Sequence, residues 1–332
     1  MNGDEALDAL IQRADLDGLV RLVDDRTATR DWDGLRLVRD RCRAAVATGR
    51  QLWPAATLAE YRLALVAPAA WAAPMISTDA GLFTIGPLTE VIAQHHTWAE
   101  LGPLLPPTPG AAVVAHERTL RGEPIEPSSV ADLPNVFDLA YELAPWEPEY
   151  PLALYTDDGV DAPAPAAGSS FDARSRNTRP VERLDDDAVE LAVRQLVETW
   201  TSSSNGRAEV ACVEGTADDA VAAIGPGEWV SQQLTLAEAL ALLAWAGASG
   251  GAHGRRRGAA LGRFGALWVL AAFLDLVDEW PVPLDALGRE ARTLRWSWWE
   301  PEMSTPHGWR LQLAVEHPGD RHAWAISAVD AV

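Results

Sequence analysis

The C-terminal end of this chain alternates large apolar side chains with polar ones, and this alternation constrains the fold more than any other feature. In a first segment, every second residue is large and apolar: Leu294, Trp296 and Trp298. The same two-residue period returns over 309–316 and 324–328. Successive side chains of a strand point to opposite faces, so this period predicts strands with one buried face. The turn sequence HPGDRH separates the last two runs. We therefore expect an antiparallel three-stranded meander at the C-terminus.

The N-terminal part of the chain has a different period. In residues 31–48, Trp32, Leu35, Val38 and Cys42 follow the spacing of one helix face. Gly and Pro interrupt several such segments, which is typical of short helices with tight connections. Because no fixed sequence period emerges, a helical bundle and an irregular helical array both remain open. The predicted fold class is α+β and mostly α, with this helical part followed by a C-terminal domain of helices packed on a small antiparallel sheet.

Composition divides the chain into three parts. We expect a helical domain over residues 1–122, a proline-rich strap and flexible linker over 123–180, and an α+β domain over 181–332. Prolines recur through the middle part and cannot lie inside regular helices or central strands. Within it, residues 161–178 contain few large apolar side chains, so we predict a mobile linker there.

The net charge limits the classes of partner. With 27 basic and 48 acidic residues the chain carries −21 at pH 7, so neither nucleic acid nor a membrane is an expected partner. All 27 basic residues are arginine, which excludes an internal Schiff base or a P-loop lysine. Two cysteines far apart in sequence and an acidic N-terminus without a signal-peptide pattern predict a cytoplasmic protein. The longest apolar run, residues 264–274, is too short to span a membrane.

Residues 247–265, with the sequence GASGGAHGRRRGAALGRFG, carry the most distinctive functional pattern. Seven glycines and four arginines lie in this segment, and no carboxylate occurs between Glu238 and Asp275. The arginines must therefore find their negative partner elsewhere in the fold, on another protein or on a bound anion.

This segment allows two interpretations. In the first, residues 247–254 form a loop and a helix begins near Arg255, so that backbone N–H and guanidinium groups converge on an anion. In the second, the helix runs on almost unbroken and the glycines form a smooth face for close helix packing. The first interpretation selects the candidate anion-binding or ligand-binding residues, which are Gly250, Gly251, His253, Gly254, Arg255, Arg256, Arg257 and Arg263.

Trp299 is the candidate for an aromatic contact. In the predicted strand its side chain points to the face opposite that of Trp296 and Trp298, so we expect its ring to be exposed on the outer face of the meander. The histidines have no acidic or cysteine partner at a recognised metal-ligand spacing, so no metal site is predicted. The sequence identifies no cofactor and no catalytic residue, although His253 is within reach of a ligand as an acid or base.

Two functions remain open for this chain. The first is a cytoplasmic interaction or scaffold protein with a protein partner, because a helical array is a common binding architecture and the sequence lacks a catalytic motif. The alternative is an enzyme or sensor that binds an anionic small molecule, phosphorylated or carboxylated, at residues 247–265. The placement of Arg255, Arg256 and Arg257 distinguishes the two, because convergence in a concavity favours the second.

Overall fold

The computed structural model describes residues 3–76, 84–166, 173–176, 181–225, 227–302 and 308–330. By its internal contacts the chain divides into two units. Unit 1 contains residues 1–136 and 154–161, and unit 2 contains residues 137–153 and 162–332. The proline-rich part of the chain thus contributes to both units.

Helices make up most of unit 1, as the apolar periodicity predicts. They are α1 (Gly3–Arg13), α2 (Leu16–Ala28), α3 (Trp32–Ala47), α4 (Trp53–Val66), α5 (Ala69–Ala72), α6 (Leu88–His95), α7 (Trp98–Leu101) and α8 (Pro109–Leu120). The carboxylates of Asp15 and Asp31 cap α2 and α3 by accepting a hydrogen bond from a first-turn backbone N–H. Thr97 and Glu100 form a capping box at the start of α7 and so separate it from α6.

A short hairpin completes unit 1. Strands β1 (Leu154–Tyr155) and β2 (Val160–Asp161) pair antiparallel. The side chain of Gln94 binds the backbone of Tyr155, since its Oε1 accepts from the N–H at 2.6 Å and its Nε2 donates to the carbonyl at 3.0 Å. The phenol of Tyr155 donates to the carboxylate of Glu90 at 2.6 Å. These bonds fix the hairpin on α6.

Unit 2 combines helices with one antiparallel sheet. Its elements are β3 (Ala173–Arg176), α9 (Asp187–Leu196), α10 (Glu198–Ser202), β4 (Arg207–Glu214), α11 (Ala217–Ile224), β5 (Glu228–Leu234), α12 (Leu236–Ala248), α13 (Ala259–Phe273), α14 (Leu284–Ala291), β6 (Arg295–Pro301), β7 (Trp309–His317) and β8 (His322–Asp330). The strand order is β3-β5-β6-β7-β8-β4. The helix-rich α+β class is confirmed, and β6, β7 and β8 are the predicted meander.

Helices cover both faces of this sheet, and this corrects the prediction for Trp299. On one face, Trp296 and Trp324 contact Phe273 of α13. On the other face, Trp299 is only 4% exposed and packs in a cluster with Trp229 and with residues of α11. The prediction that Trp299 is exposed is wrong, because α11 packs on the part of the outer face where Trp299 lies.

Two predicted boundaries also need correction. The helix expected to begin near Arg255 begins at Ala259, because Gly258 has φ +102°, which a helix does not allow. Of the linker expected over 161–178, residues 167–172 and 177–178 lie outside the described residues. Its Ala173–Arg176 portion, however, forms β3 and pairs with β5, so these four residues are part of the sheet.

Candidate functional site

The glycine- and arginine-rich segment forms a helix–loop–helix arrangement in unit 2. Between α12 and α13, residues 249–258 form a loop, which we call the Gly–Arg loop. Gly247 of α12 and Gly262 of α13 lie where these helices meet. A Cβ at Gly262 would overlap the carbonyl oxygen of Ala244, so the helices approach more closely than a larger side chain allows. Each sequence interpretation therefore describes a different part of the segment: a loop in the middle, and close helix packing on both sides.

Backbone contacts give the Gly–Arg loop a compact shape. The N–H groups of Arg257 and Gly258 both approach the carbonyl of Ala248, at 2.7 and 3.4 Å. A Cβ at Gly250 would overlap the Gly254 carbonyl, so a side chain at Gly250 would open the loop. Gly250 and Gly254 are therefore explained by the loop conformation itself.

The structure places an internal carboxylate, Asp330, at part of the predicted anion site. Asp330 ends β8 and is fully buried. Its Oδ2 accepts a hydrogen bond from the backbone N–H of Ala252 at 2.6 Å, and its Oδ1 accepts from the hydroxyl of Ser204 at 2.9 Å. A Cβ at Gly251 would collide with the same carboxylate. This part of the loop therefore binds a negative charge that the fold itself supplies.

Arg263 is also paired within the fold and so does not belong to a ligand site. Its guanidinium binds the carboxylate of Glu147 at two points and donates to the carbonyls of Ala140 and Glu142 at 3.3 and 2.8 Å. Burial alone would lower the pKa of Arg263, but the hydrogen bonds and charge of Glu147 outweigh it and raise the pKa. All its nitrogens are engaged, so the prediction that Arg263 contributes to the anion site needs correction.

The next three predicted residues differ in their surroundings. His253 is exposed on the Gly–Arg loop, Arg255 is half-buried, and Arg256 is buried. Arg255 and Arg256 both take part in interactions within the structure.

Arg257 is half-buried and forms no salt bridge with a carboxylate among the residues that the structure describes. Its Nη1 donates to the carbonyls of Gln195 and Leu196 at 2.9 and 3.4 Å, at the C-terminal end of α9. In the described part of the chain, its Nε and Nη2 have no hydrogen-bond acceptor. Burial lowers the pKa of Arg257, and the negative charge of Glu198 offsets part of that effect. Arg257 is thus a partly desolvated cation whose Nε and Nη2 can donate further hydrogen bonds.

Arg257 lies in the wall of a cleft of about 260 Å³, which we call the Arg257 cleft. The cleft is lined by Ala192, Gln195, Leu196, Glu198, Gly247, Arg257, Leu261, Phe264, Gly265 and Trp268. A Cβ at Gly247 or Gly265 would press on the side chain of Leu196, so the two glycines keep this space open. The structure therefore gathers one predicted site residue, Arg257, with side chains from α9, α10 and α13.

Two aromatic rings form one side of the Arg257 cleft. Phe264 and Trp268 stack with ring centroids 6.2 Å apart and an interplanar angle of 25°. Trp280 packs edge-on against both, at 6.0 and 5.6 Å, and Phe137 stacks on Phe264 at 5.4 Å. Because these neighbours hold both rings, the apolar wall is preformed.

Sequence reasoning selected Arg257 and missed the rest of this cleft. Phe264 and Trp268 are four residues apart and share a helix face, which is the only local signal for the aromatic wall. That signal predicts a core helix equally well. Gln195 lies 62 residues before Arg257, so only the tertiary fold brings α9 to the site.

A second groove in unit 2 is wider and more exposed. It measures about 600 Å³ and is lined by Pro145, Trp146, Asp285, Gly288, Arg289 and Arg292. Its two arginines are exposed, so solvent screens their charge. The Arg257 cleft is therefore the stronger candidate site.

The buried carboxylates of unit 1 were not among the predicted residues, and all have donors within that unit. Glu60 accepts from Arg39 and Arg43, Glu90 from Tyr155, and Glu117 from Arg121. Such pairing is what burial of a carboxylate requires. Over the described ranges, no group of three or more His, Cys, Asp or Glu side chains is arranged to hold a metal ion.

Comparison with known proteins identifies the family. The chain belongs to DUF6183, a family of unknown function, whose model matches residues 17–331. No curated protein and no solved structure matches the chain. None of the helices in the described segments has the length and apolar character needed to cross a membrane.

Proposed function

We propose that this member of the DUF6183 family binds a small organic carboxylic acid in the Arg257 cleft. The observation that carries this proposal is the state of Arg257, a half-buried guanidinium that forms no salt bridge with a carboxylate among the described residues. A carboxylate on Nε and Nη2 would make two parallel charge-assisted hydrogen bonds, which is the geometry that guanidinium groups favour. Partial burial strengthens such a pair, because water screens it less.

The charges around the cleft favour a carboxylate over a phosphate. Arg257 is the cationic side chain of the lining, and Glu198 adds a negative charge to the same wall. A phosphate group carries up to two negative charges and is usually bound by several donors. A single carboxylate matches one guanidinium, and it meets less repulsion from Glu198.

The rest of the lining indicates an apolar or aromatic body for the ligand. Leu196, Leu261, Phe264 and Trp268 supply an apolar surface beside Arg257. A cleft of about 260 Å³ is smaller than the roughly 300–1,000 Å³ typical of drug-sized ligands. The proposed ligand is therefore a compact acid with one flat or branched apolar group.

This proposal gives the protein a binding or sensing role. The titratable side chains of the cleft are Glu198 and Arg257, and His253 is not among the lining residues. The interaction or scaffold function expected from the sequence stays a prediction. The Arg257 cleft favours the small-molecule alternative, since it supplies a defined site with a matched chemistry.

A thermal-shift experiment tests the proposal. The probes are benzoate, phenylacetate and 3-phenylpropionate, with phenyl phosphate and benzyl alcohol for comparison. We expect the acids to stabilise the protein, by about 2.7 kcal/mol at one hundred times the Kd, and the alcohol to have little effect. The variants Arg257→Gln and Arg257→Lys should lose most of this stabilisation, because neither side chain offers the two-point guanidinium contact.

Arg289→Gln provides the matched control, because it removes an arginine from the second groove and leaves the Arg257 cleft intact. It should keep the full ligand-dependent shift. If the acids give no shift, or if Arg257→Gln and Arg289→Gln respond equally to them, the proposed function is wrong.

A further inference from the structure

We infer that the ligand of the Arg257 cleft is zwitterionic, a free α-amino acid with an apolar or aromatic side chain. This inference rests on the proposed function and narrows it to one class of ligand. It depends on a second lining residue, Glu198, to which the carboxylic-acid proposal assigns no contact with the ligand.

Arg257, which is half-buried, and Glu198, which is exposed, place opposite charges on the lining of one small cleft. Both side chains line it, and Glu198 acts on Arg257 through its charge. Within the described part of the protein, the two do not form an ion pair at 4.0 Å or closer. A small molecule that carries both an ammonium and a carboxylate group could pair with both side chains, its ammonium with Glu198 and its carboxylate with Arg257.

The end of α9 adds to the preference for a cation beside Glu198. Gln195 and Leu196 are the last residues of this helix and contribute to the same lining. The carbonyl end of a helix carries partial negative charge, which stabilises cations nearby. Arg257 already donates one nitrogen, Nη1, to the carbonyls of both residues.

The remaining residues of the lining form an apolar surface for the side chain of such an amino acid. Phe264 and Trp268 present aromatic surface, and Leu261 adds an aliphatic group. An α-amino acid holds its two charges close together and projects its side chain away from them. Its carboxylate would pair with Arg257, its ammonium with Glu198, and its side chain would lie along the aromatic wall.

Isothermal titration with three matched compounds tests the inference on the full chain. L-Phenylalanine carries both charges, N-acetyl-L-phenylalanine lacks the ammonium group, and L-phenylalaninamide lacks the carboxylate. We expect L-phenylalanine to bind about ten- to a hundredfold more tightly than L-phenylalaninamide, the range for loss of one charge-assisted hydrogen bond. Because Glu198 is exposed, we expect a smaller preference, about two- to fivefold, over N-acetyl-L-phenylalanine. Glu198→Gln should weaken the binding of L-phenylalanine by about two- to fivefold, the range for an exposed ion pair, and should leave the binding of N-acetyl-L-phenylalanine unchanged or tighter.

Glu190→Gln is the control variant, because Glu190 lies on α9, pairs with Arg194 on the surface and does not line the cleft. It should bind all three compounds like the unmodified protein. If N-acetyl-L-phenylalanine or 3-phenylpropionate binds as tightly as L-phenylalanine, the zwitterion inference fails and the carboxylic-acid proposal stands. If neither the acids nor the amino acid bind, both fail.

Discussion

Tyr150 donates its phenolic hydrogen to Oε2 of Glu147 at 2.7 Å, and the same oxygen accepts from Nε of Arg263 at 2.7 Å. The side chains of Arg263 and Glu147 are 1% and 0% exposed. These contacts join residues 137–153 to α13 within unit 2. Because α13 also carries Phe264 and Trp268, the three side chains indirectly support the Arg257 cleft.

Removal of one member of the buried ion pair should be costly. Arg263→Met leaves the carboxylate of Glu147 buried without its main partner, and we expect a loss of about 3–5 kcal/mol in the free energy of unfolding. The double variant Arg263→Met/Glu147→Leu removes both charges and should be less destabilised than the single variant. Urea denaturation followed by tryptophan fluorescence measures both. A double variant as unstable as Arg263→Met would show that packing, and not charge burial, dominates here.

Tyr150 should make stability depend on alkaline pH. Burial and the negative charge of Glu147 raise the pKa of Tyr150 well above its ordinary value. Below pH about 10 both states keep the proton, so the stabilisation is complete; above that pH the unfolded chain ionises first and stability falls as pH rises. Tyr150→Phe should cost about 1.5–3 kcal/mol at pH 7, and this difference should shrink above pH 10. Urea denaturation at pH 7, 9 and 10.5 tests this, and a constant difference would contradict it.

Two glycines of α13 should differ in their tolerance of a methyl group. At Gly262 a Cβ would meet backbone, the carbonyl of Ala244, whereas at Gly265 it would meet only the flexible side chain of Leu196. Gly262→Ala should lower stability by about 1–3 kcal/mol through overpacking. Gly265→Ala should be nearly neutral, because a gain in helix propensity of up to about 1 kcal/mol offsets the crowding. Equal effects in thermal unfolding would place the close contact elsewhere.

The two cysteines should report on the two units separately. Cys42 lies in unit 1 and Cys212 in unit 2, both buried, and burial raises the pKa of each thiol to about 11. Thiolate is the reactive form, so neither cysteine should react quickly with a thiol reagent at pH 7.5 in the native protein. In Cys42→Ser only Cys212 remains, and its labelling should follow the unfolding of unit 2. Rapid labelling without denaturant would contradict the burial of these thiols.

Much of the fold follows from local pattern. Period-two alternation predicted β6, β7 and β8, and helical periodicity predicted the helix over 31–48, which is α3, because each pattern reflects one buried face. Strand β5 was missed, since its sequence EWVSQQL has few apolar residues and no clear alternation. The burial of Trp299 was missed because no local signal states that a helix covers the outer face of the meander.

The candidate site was predicted only in part. A cluster of arginines without nearby carboxylates drew attention to Arg257, but the same reasoning selected Arg263, whose partner Glu147 lies 116 residues away. Asp330, which binds the backbone of the Gly–Arg loop, lies 78 residues from Ala252. Such pairings depend on the tertiary fold, and nothing in the local sequence distinguishes an arginine paired inside the protein from one that lines a cleft.

The most direct test of the account is a crystal structure of the protein soaked with 3-phenylpropionate. We predict electron density in the Arg257 cleft, with the carboxylate about 2.7–2.9 Å from Nε and Nη2 of Arg257 and the ring against Phe264 and Trp268. The same soak of Arg257→Gln should show an empty cleft. Density for the acid beside Trp146 and Arg289 alone, or an empty Arg257 cleft in the unmodified protein at a saturating concentration, would contradict the account.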